Sequence, residues 1–452
     1  MKLILTNSFC LLFLLCHGQY SIGHTTITFN DPARTGGYGS GGGSGRQIQT
    51  EIYYPAATAG ENVPVLTGEY PIIVFGHGFA MTWDAYSNIW QRYAAKGYIL
   101  AFPRTEGSLI PAPSHNDFGL DLRQVEQKLT ALNTNASSPF YQRINGNSAI
   151  MGHSMGGGAA ILASNGNTSI QTVIGLAPAE TNPSAINAAP GVTVPTLVFS
   201  GSSDGVTPPQ DHHIPIYDGI GSACKSFVSI TGGAHCYFAN TNFNCDFGES
   251  TSSFGISISR SQQQTITYSL LDHWLEYTLK DDCAALTLFL DQLSGGSGFT
   301  GSTTCTQNPT PSINASGTLL TSSVNGSGYQ WYLNGNPVSG ANAIQYNALQ
   351  GGTYTVVVSF PQGCSLESAP YELQSAGLSV GQGNVLIISP NPTSGKVKLE
   401  SSNLDIHTVT VTSISGEAVF CSISDNEIDL SAQPRGIYFI GVNGHFVRVI
   451  KY

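Results

Sequence analysis

Apolar residues follow two alternating patterns between residues 25 and 293 of this 452-residue chain. Short runs rich in Val, Ile, Leu and Phe predict buried strands, and longer segments with apolar residues every three or four positions predict helices. Alternating strands and helices predict an α/β fold whose mostly parallel sheet is covered on both faces. The predicted strands are 25–29, 47–54, 71–75, 98–102, 149–151, 172–176, 196–200 and 226–230. The predicted helices are 84–95, 117–132, 262–279 and 283–293.

The pattern changes after residue 293. Residues 294–304 and 375–384 are rich in Gly and small polar residues, and both segments predict linkers. Only strand-like runs remain beyond residue 308, which predicts two small all-β, sandwich-like modules with Trp331 in the core of the first. The strand-like runs are 329–333, 352–358, 397–400, 408–414 and 437–442. The predicted divisions of the chain are 1–18, 19–305, 306–375 and 376–452.

The N-terminus has the pattern of a secretory signal peptide. Lys2 precedes an apolar run that ends at Leu15, and cleavage is expected after Gly18. The run is shorter than the ~20 residues that span a bilayer, and a lipidated Cys16 is the weaker alternative. The mature protein is therefore expected to be soluble, exported and monomeric. The net charge of -11 argues against nucleic acid as a partner.

Export permits disulfide bonds. Without the signal peptide an odd number of cysteines remains, so at least one is free or bonded to another molecule. The expected pairs are Cys236–Cys245 and Cys283–Cys305. Pairing of Cys305 with Cys364 is the main alternative to the second pair.

The run Gly-His-Ser-Met-Gly at 152–156 follows an apolar strand and precedes a helix of small residues. The pattern Gly-x-Ser-x-Gly between strand and helix is the nucleophile elbow, which holds a serine hydroxyl above the edge of the sheet. Ser154 is the predicted nucleophile. Its oxyanion needs two N–H donors, for which we expect the backbone of Met155 and of Phe79, in the loop Gly-His-Gly-Phe at 76–79.

A serine nucleophile needs a histidine base that a carboxylate orients, and α/β hydrolases carry them in the order Ser, Asp, His. Asp204 lies in a turn directly after the predicted strand 196–200, and it is favoured over Asp211 and Asp218. His235 follows the strand 226–230 on a loop of small residues. The other histidines considered are His212 and His213, expected as an exposed pair on a loop, His273, expected to be structural, and His153, expected to point away from the base position. No metal site is expected.

These motifs together resemble the bacterial cutinase and polyester-hydrolase family, which includes enzymes that hydrolyse poly(ethylene terephthalate). The resemblance extends over residues 25–305 and includes the run Gly-Ser-Ser-Asp-Gly-Val-Thr-Pro at 201–208. It implies an α/β-hydrolase fold, a triad of Ser154, Asp204 and His235, and an oxyanion hole at Phe79 and Met155. It also implies that the substrate contacts Phe79, Met155, Ala179 and Val206. Ala179 stands where many polyesterases have a stacking tryptophan.

The C-terminal residues resemble another family. The runs Ser-Pro-Asn-Pro-Thr-Ser-Gly at 389–395 and Gly-Ile-Tyr-Phe-Ile at 436–440 are similar to the sorting domain of type IX secretion. This resemblance implies export across an outer membrane by the type IX machinery, with possible attachment to the cell surface. Residues 306–375 resemble the immunoglobulin-like modules of such exported proteins.

Together these features predict a secreted serine ester hydrolase that acts on polyester or cutin-like polymers without a cofactor. A triacylglycerol lipase or small-ester esterase, acting on a lipid-like ester, is the alternative within the enzymes. A catalytically inactive surface-binding or adhesion protein is the alternative from another class.

Overall fold

A computed structural model describes residues 19–360, 364–374, 386–401, 409–424, 426–442 and 445–452. The predicted signal peptide and the predicted linker 375–384 lie outside these residues. The chain separates into two compact units, one formed by residues up to 346 with 355–369 and the other by 347–354 with 370–452. The four-part division inferred from the sequence stays a prediction. No helix within the described residues is long and apolar enough to cross a membrane.

The first unit contains the α/β part of the chain. Its strands are β1 (Ser21–Asp31), β2 (Gly37–Tyr38), β3 (Arg46–Ala56), β4 (Gly60–Glu61), β5 (Tyr70–Gly76), β6 (Ile99–Pro103), β7 (Ile144–His153), β8 (Thr172–Leu176), β9 (Thr196–Gly201), β10 (Lys225–Ile230) and β11 (Phe299–Thr303). Its helices are α1 (Ser87–Ala94), α2 (His115–Ala131), α3 (Met155–Ser164), α4 (Ala185–Ala188), α5 (His213–Gly219), α6 (Phe243–Ser252), α7 (Arg260–Leu279) and α8 (Cys283–Gly295). Short 3₁₀ helices lie at Trp83–Tyr86, Leu132–Thr134, Ala189–Gly191 and Cys236–Phe238.

These strands form one sheet in the order β11-β10-β9-β8-β7-β5-β6-β3-β1-β4, with β2 beside β3. The pairs β6–β5, β5–β7, β7–β8, β8–β9 and β9–β10 are parallel. The pairs β1–β3, β3–β6 and β10–β11 are antiparallel. Strands β5, β8 and β9 are buried along their whole length, as expected for a sheet that helices cover on both faces. The predicted α/β class with a mostly parallel sheet is therefore confirmed.

The sequence prediction of a linker at 294–304 is wrong. Helix α8 extends to Gly295, and Phe299–Thr303 forms β11, which pairs antiparallel with β10. The side chain of Phe299 is buried, so this short strand contributes to the core although its other residues are exposed polar or glycine residues. Such a strand carries little hydrophobic pattern because only one of its positions faces the interior.

Strand β11 also explains why the expected Cys283–Cys305 disulfide is wrong. Because Ser226 of β10 lies opposite Thr303 of β11, the residues flanking the pair are brought together, and Cys305 bonds to Cys224. Cys283, at the start of α8, bonds to Cys364 instead. The alternative Cys305–Cys364 pair is also absent. The expected Cys236–Cys245 bond is present, and Cys421 is a free thiol.

Antiparallel strands form the rest of the described chain. Residues 306–374 contain β12 (Ile313–Ser316), β13 (Leu319–Ser322), β14 (Gly328–Leu333), β15 (Asn336–Pro337), β16 (Gln345–Asn347), β17 (Gly352–Ser359), β18 (Ser365–Glu367) and β19 (Tyr371–Leu373). Trp331 on β14 is fully buried, as expected. The last strands are β20 (Leu386–Ser389), β21 (Lys396–Ser401), β22 (Val409–Ser413), β23 (Ser422–Ser424), β24 (Glu427–Asp429), β25 (Gly436–Val442) and β26 (His445–Lys451). They form two small sheets, β20-β21-β24-β23 and β22-β25-β26, around a core that includes Val397, Ile428 and Ile440.

Candidate active site

Ser154 occupies the tight turn between β7 and α3. Its φ of 57° lies in the left-handed region, which is costly for a residue with a side chain and is a mark of functional turns. Two glycines make the turn possible. A Cβ atom on Gly152 would lie 2.2 Å from the carbonyl oxygen of Gly156, and one on Gly156 would lie 2.1 Å from that of Gly76. The side chain of Ser154 makes no capping hydrogen bond to α3, so its hydroxyl is not used by the helix.

Asp204 lies in the turn after β9, and its side chain is buried. Oδ1 accepts hydrogen bonds from the backbone N–H groups of Val206 at 2.9 Å and Thr207 at 2.8 Å. Oδ2 lies 2.7 Å from Nδ1 of His235. Burial alone would raise the pKa of Asp204, but the charge of His235 and these hydrogen bonds hold it below its ordinary value. The carboxylate is thus the ionised partner that a histidine base requires.

His235 follows β10 and immediately precedes the short 3₁₀ helix Cys236–Phe238. Its Nδ1 faces Asp204, which leaves Nε2 as the nitrogen available to a nucleophile or substrate. The other candidate carboxylates, Asp211 and Asp218, are both exposed. The structure therefore brings together the predicted carboxylate and the predicted histidine.

The expectation that His212 and His213 form an exposed pair on a loop is wrong. His213 begins α5 and is fully buried, with Nδ1 2.8 Å from Ser200 Oγ and Nε2 2.9 Å from Thr207 Oγ1. His212 is half-buried, and its Nδ1 accepts the backbone N–H of Glu180. The sequence pattern does not reveal these contacts, because the turn between β9 and α5 folds back so that Ser200 and Thr207, which precede His213 in the chain, face its two ring nitrogens.

His153 links the two loops that flank Ser154. The backbone N–H of Gly78 donates to the hydroxyl of Tyr86 at 2.8 Å, and that hydroxyl lies 2.8 Å from Nδ1 of His153. Nε2 of His153 lies 3.0 Å from the carbonyl oxygen of His235. Burial holds the pKa of His153 well below its ordinary value, so the ring is neutral and Nε2 is the donor. Both ring nitrogens of His153 are thus used by Tyr86 and the backbone of His235, and the ring connects the loop at 76–79 to His235.

An apolar cavity of about 320 Å³ opens between these loops. Ser154 and His235 reach it, together with Phe79 and Val206, which were predicted to contact substrate. The remaining lining residues are Ala80, Met81, Leu109, Asn244, Cys245, Phe247 and Gly248.

Met155 and Ala179 lie beside Ser154 but are not among the described residues that line this cavity. The backbone N–H of Ala179 donates to the carbonyl oxygen of Ser154 at 2.9 Å. Neither the backbone N–H of Met155 nor that of Phe79 donates a hydrogen bond to another of the described residues.

Helix α6 forms one wall of the cavity, and the sequence pattern did not reveal it. The Cys236–Cys245 disulfide ties its first turn to the residue after His235. Glu249, on the same helix, is buried and accepts the backbone N–H of His235 at 2.6 Å and that of Cys236 at 3.0 Å. Burial raises the pKa of Glu249 above its ordinary value. One sequence signal could have indicated this wall: the pair Cys236 and Cys245, which follows the candidate histidine and would hold the intervening segment next to it.

Curated proteins similar to this chain are ester hydrolases by name. Cutinase est1 of Thermobifida alba is 28% identical over 215 residues, which is 47% of this chain and 64% of that protein. A bis(hydroxyethyl) terephthalate hydrolase of Streptomyces coelicolor is 28% identical over 219 residues, 48% of this chain and 61% of that protein. A cutinase of Thermobifida fusca is 26% identical over 219 residues, 48% of this chain and 64% of that protein. The chain thus spans less than two thirds of the length of these relatives.

Two family models match the chain. Residues 388–451 match the secretion system C-terminal sorting domain, which supports secretion and export to the cell surface. Residues 16–260, which include the whole of the site described above, match the model described as PET hydrolase-like. The α/β part with its mostly parallel sheet, the turn at Ser154 and this match agree, and the chain belongs to the PET hydrolase-like family of α/β hydrolases.

Proposed function

We propose that the protein is a secreted serine hydrolase that cleaves the ester bonds of polyesters or cutin-like polymers, including poly(ethylene terephthalate). One observation carries this proposal. Ser154, in its strained turn, and His235, which is paired with the buried Asp204, both line a single apolar cavity. The names of the relatives, cutinase and bis(hydroxyethyl) terephthalate hydrolase, favour esters as the substrate class.

In the proposed reaction the hydroxyl oxygen of Ser154 attacks the ester carbonyl carbon while Nε2 of His235 takes the hydroxyl proton. Asp204 holds the opposite nitrogen of His235 and stabilises the imidazolium that forms. The carbonyl oxygen becomes an oxyanion, for which the backbone N–H groups of Met155 and Phe79 are the proposed donors. Because neither N–H is used by a described residue, both are free for this role.

Collapse of this intermediate breaks the ester bond. The imidazolium of His235 gives its proton to the departing alcohol oxygen, and the acyl group stays on Ser154. A water molecule then attacks the acyl carbon while His235 takes one of its protons. Collapse of this second intermediate breaks the bond between the acyl carbon and Ser154 Oγ, His235 returns the proton to that oxygen, and the acid product leaves with the hydroxyl group of the water. The regenerated enzyme has gained and lost no atoms, so the cycle needs no redox partner.

A polymeric substrate is favoured over a small ester by the surroundings of the cavity. Phe79, Leu109, Val206 and Phe247 all line it and are themselves exposed, so the cavity is continuous with apolar outer surface. Exposed apolar patches of this kind mark binding sites for apolar partners. A long ester chain would cover such a surface, whereas a small soluble ester would fill only the cavity.

The full-length protein should release soluble acid from amorphous polyester film faster, per unit of ester surface, than it releases fatty acid from triacylglycerol emulsions. Product release is followed by chromatography for the film and by titration for the emulsion. If every polyester stays intact while triacylglycerols are cleaved, the protein is a lipase and the polymer proposal is overturned. If no ester is hydrolysed, the alternative of an inactive binding or adhesion protein is favoured.

A further inference from the structure

Helix α6 exposes aromatic rings beside the cavity. Phe243 is 81% exposed and Phe247 is 63% exposed, although a soluble protein normally keeps most large aromatic side chains in its core. The two rings are one helical turn apart, with centroids 6.2 Å apart and planes inclined by only 18°. They therefore form one continuous apolar face, and Phe247 continues that face into the cavity that holds Ser154.

This helix is held firmly, so the exposed rings do not result from a loose segment. Its first turn is fixed by the Cys236–Cys245 disulfide and by Asn244, whose side-chain N–H donates to the carbonyl oxygen of Ala80 across the cavity. Its last turn is fixed through Glu249, which accepts two backbone N–H groups. A preorganised face loses little conformational freedom when a ligand binds.

We propose that Phe243 and Phe247 form a platform that binds the stretch of polyester chain next to the ester being cleaved. The occupant follows from continuity with the cavity, because Phe247 lines the cavity that holds Ser154 and the ring of Phe243 lies 6.2 Å beyond it, so a chain that leaves the cavity on this side covers both rings. Flat rings and alkyl segments of a polyester match the shape and polarity of this face. The proposal rests on the proposed function and adds the surface that distinguishes polymers from small esters.

The test uses the full-length Phe243→Ser/Phe247→Ser variant on polyester film and on soluble p-nitrophenyl butyrate. The film rate is expected to fall about tenfold more than the soluble rate, because the variant loses aromatic area that only the polymer covers. Phe420→Ser is the matched control, since Phe420 is 92% exposed but lies on the other unit, and it should leave both rates unchanged. Equal losses on film and soluble ester would overturn the platform.

Adsorption separates this inference from the proposed function. Proteins that also carry Ser154→Ala are incubated with film, and the bound fraction is measured without hydrolysis. The Phe243→Ser/Phe247→Ser change should lower that fraction about tenfold at subsaturating protein. Unchanged adsorption overturns the platform, and so does a change of oligomeric state in sedimentation, which would identify a second copy as the occupant. If the wild-type protein cleaves no polyester but the Phe243→Ser/Phe247→Ser change still lowers adsorption, the platform is retained and the proposed reaction is rejected.

A second inference concerns the buried histidine behind Asp204. The hydroxyl oxygen of Thr207 lies 3.1 Å from Asp204 Oδ2, 2.8 Å from His235 Nδ1 and 2.9 Å from His213 Nε2. Thr207 and His213 are both buried. The other nitrogen of His213 lies 2.8 Å from the hydroxyl of Ser200. Four buried side chains therefore form one hydrogen-bonded chain that ends on the carboxylate.

The hydrogen bonds among these four side chains all run in the same direction, from donor to acceptor. Burial lowers the pKa of His213 to about 3, so its ring is neutral and only one nitrogen carries a hydrogen. If the Thr207 hydroxyl donates to the carboxylate, it must accept from Nε2–H of His213, and Nδ1 then accepts from Ser200. Each donor in the chain points toward Asp204, which favours its ionised form and fixes the oxygen that His235 needs.

We infer that Thr207 is a positioning residue for His235 and Asp204, and that His213 acts through it. The isosteric Thr207→Val variant should lose about tenfold in kcat, because a donor to the buried carboxylate is removed, while KM for a soluble ester changes little. The conservative Thr207→Ser variant keeps the hydroxyl and should restore most of the kcat. His213→Phe should lower kcat in the same direction.

Two readouts separate positioning from a structural role. The downfield proton resonance of the His235 Nδ1–H in nuclear magnetic resonance spectra should shift in Thr207→Val and return in Thr207→Ser. Thermal unfolding is measured for all variants, so that a loss of fold is recognised. The inference is overturned if Thr207→Val retains the wild-type kcat, or if Thr207→Ser loses as much kcat as Thr207→Val does at an unchanged melting temperature.

Discussion

Replacing Ser154 by alanine is expected to lower kcat/KM for soluble esters by about 10⁴–10⁶-fold. The remaining activity would come only from substrate binding and the proposed oxyanion hole. The hydroxyl oxygen is the proposed bond-forming atom, and none of the other described residues that line the cavity carries a hydroxyl or a free thiol that could replace it. Alanine leaves the φ of 57° and the flanking glycines unchanged, so the turn should keep its geometry. Initial rates on p-nitrophenyl butyrate, with thermal unfolding to check the fold, measure the effect.

Ser137→Ala is a suitable control for this substitution. Ser137 is exposed on a turn, and its hydroxyl bonds only locally to Asn135. A fluorophosphonate probe should label the wild-type protein and the Ser137→Ala variant at Ser154 and should leave Ser154→Ala unlabelled. Retention of more than a small fraction of activity by Ser154→Ala would reject the nucleophile and, with it, the proposed acyl-enzyme route.

Residues at the ends of parallel strands were predictable from the sequence because their signals are local. Ser154, Asp204 and His235 each follow a short apolar run and lie in a turn of small residues, and the order of these turns matches one fold. The carboxyl ends of parallel strands meet at one edge of the sheet, so a correct strand assignment is enough to bring such residues together.

Helix α6, β11 and the buried His213 were not predictable in this way because their burial depends on polar partners and pairings that leave no hydrophobic pattern in the sequence. The buried carboxylate of Glu249 is satisfied by hydrogen bonds from the backbone N–H groups of His235 and Cys236. His213 is buried only because Ser200 and Thr207 supply partners for both of its nitrogens. The sequence prediction of the second disulfide fails for the same reason, since Cys224 meets Cys305 through a strand that has almost no hydrophobic pattern.

The polar groups under the cavity form two separate systems with different roles. One runs from Gly78 through Tyr86 and His153 to the backbone of His235, and it sets the distance between the proposed oxyanion loop and the base. The other runs from Ser200 through His213 and Thr207 to Asp204. Because both end at the pair of His235 and Asp204, that pair is held from two sides. Substitutions there are expected to act on catalysis more than on substrate binding.

Asp204→Asn is expected to lower kcat by about 10³–10⁴-fold while KM for a soluble ester changes little. The asparagine carbonyl oxygen would stay with the backbone N–H groups of Val206 and Thr207, which now bond to Oδ1. The amide nitrogen would then face Nδ1 of His235, where it can only donate. Nδ1 must accept that hydrogen, so the proton of the ring moves to Nε2, and Nε2 can no longer take the proton of Ser154.

Asp211→Asn removes the same charge from an exposed position and should leave kcat unchanged. Comparing the two variants therefore separates the local tautomer effect from a change of one unit in net charge. If Asp204→Asn kept most of its kcat, the carboxylate would be a structural cap for the turn after β9, and the base would not depend on it. A loss that appears only in Asp204→Asn, at an unchanged melting temperature, means that the carboxylate determines which nitrogen of His235 carries the proton.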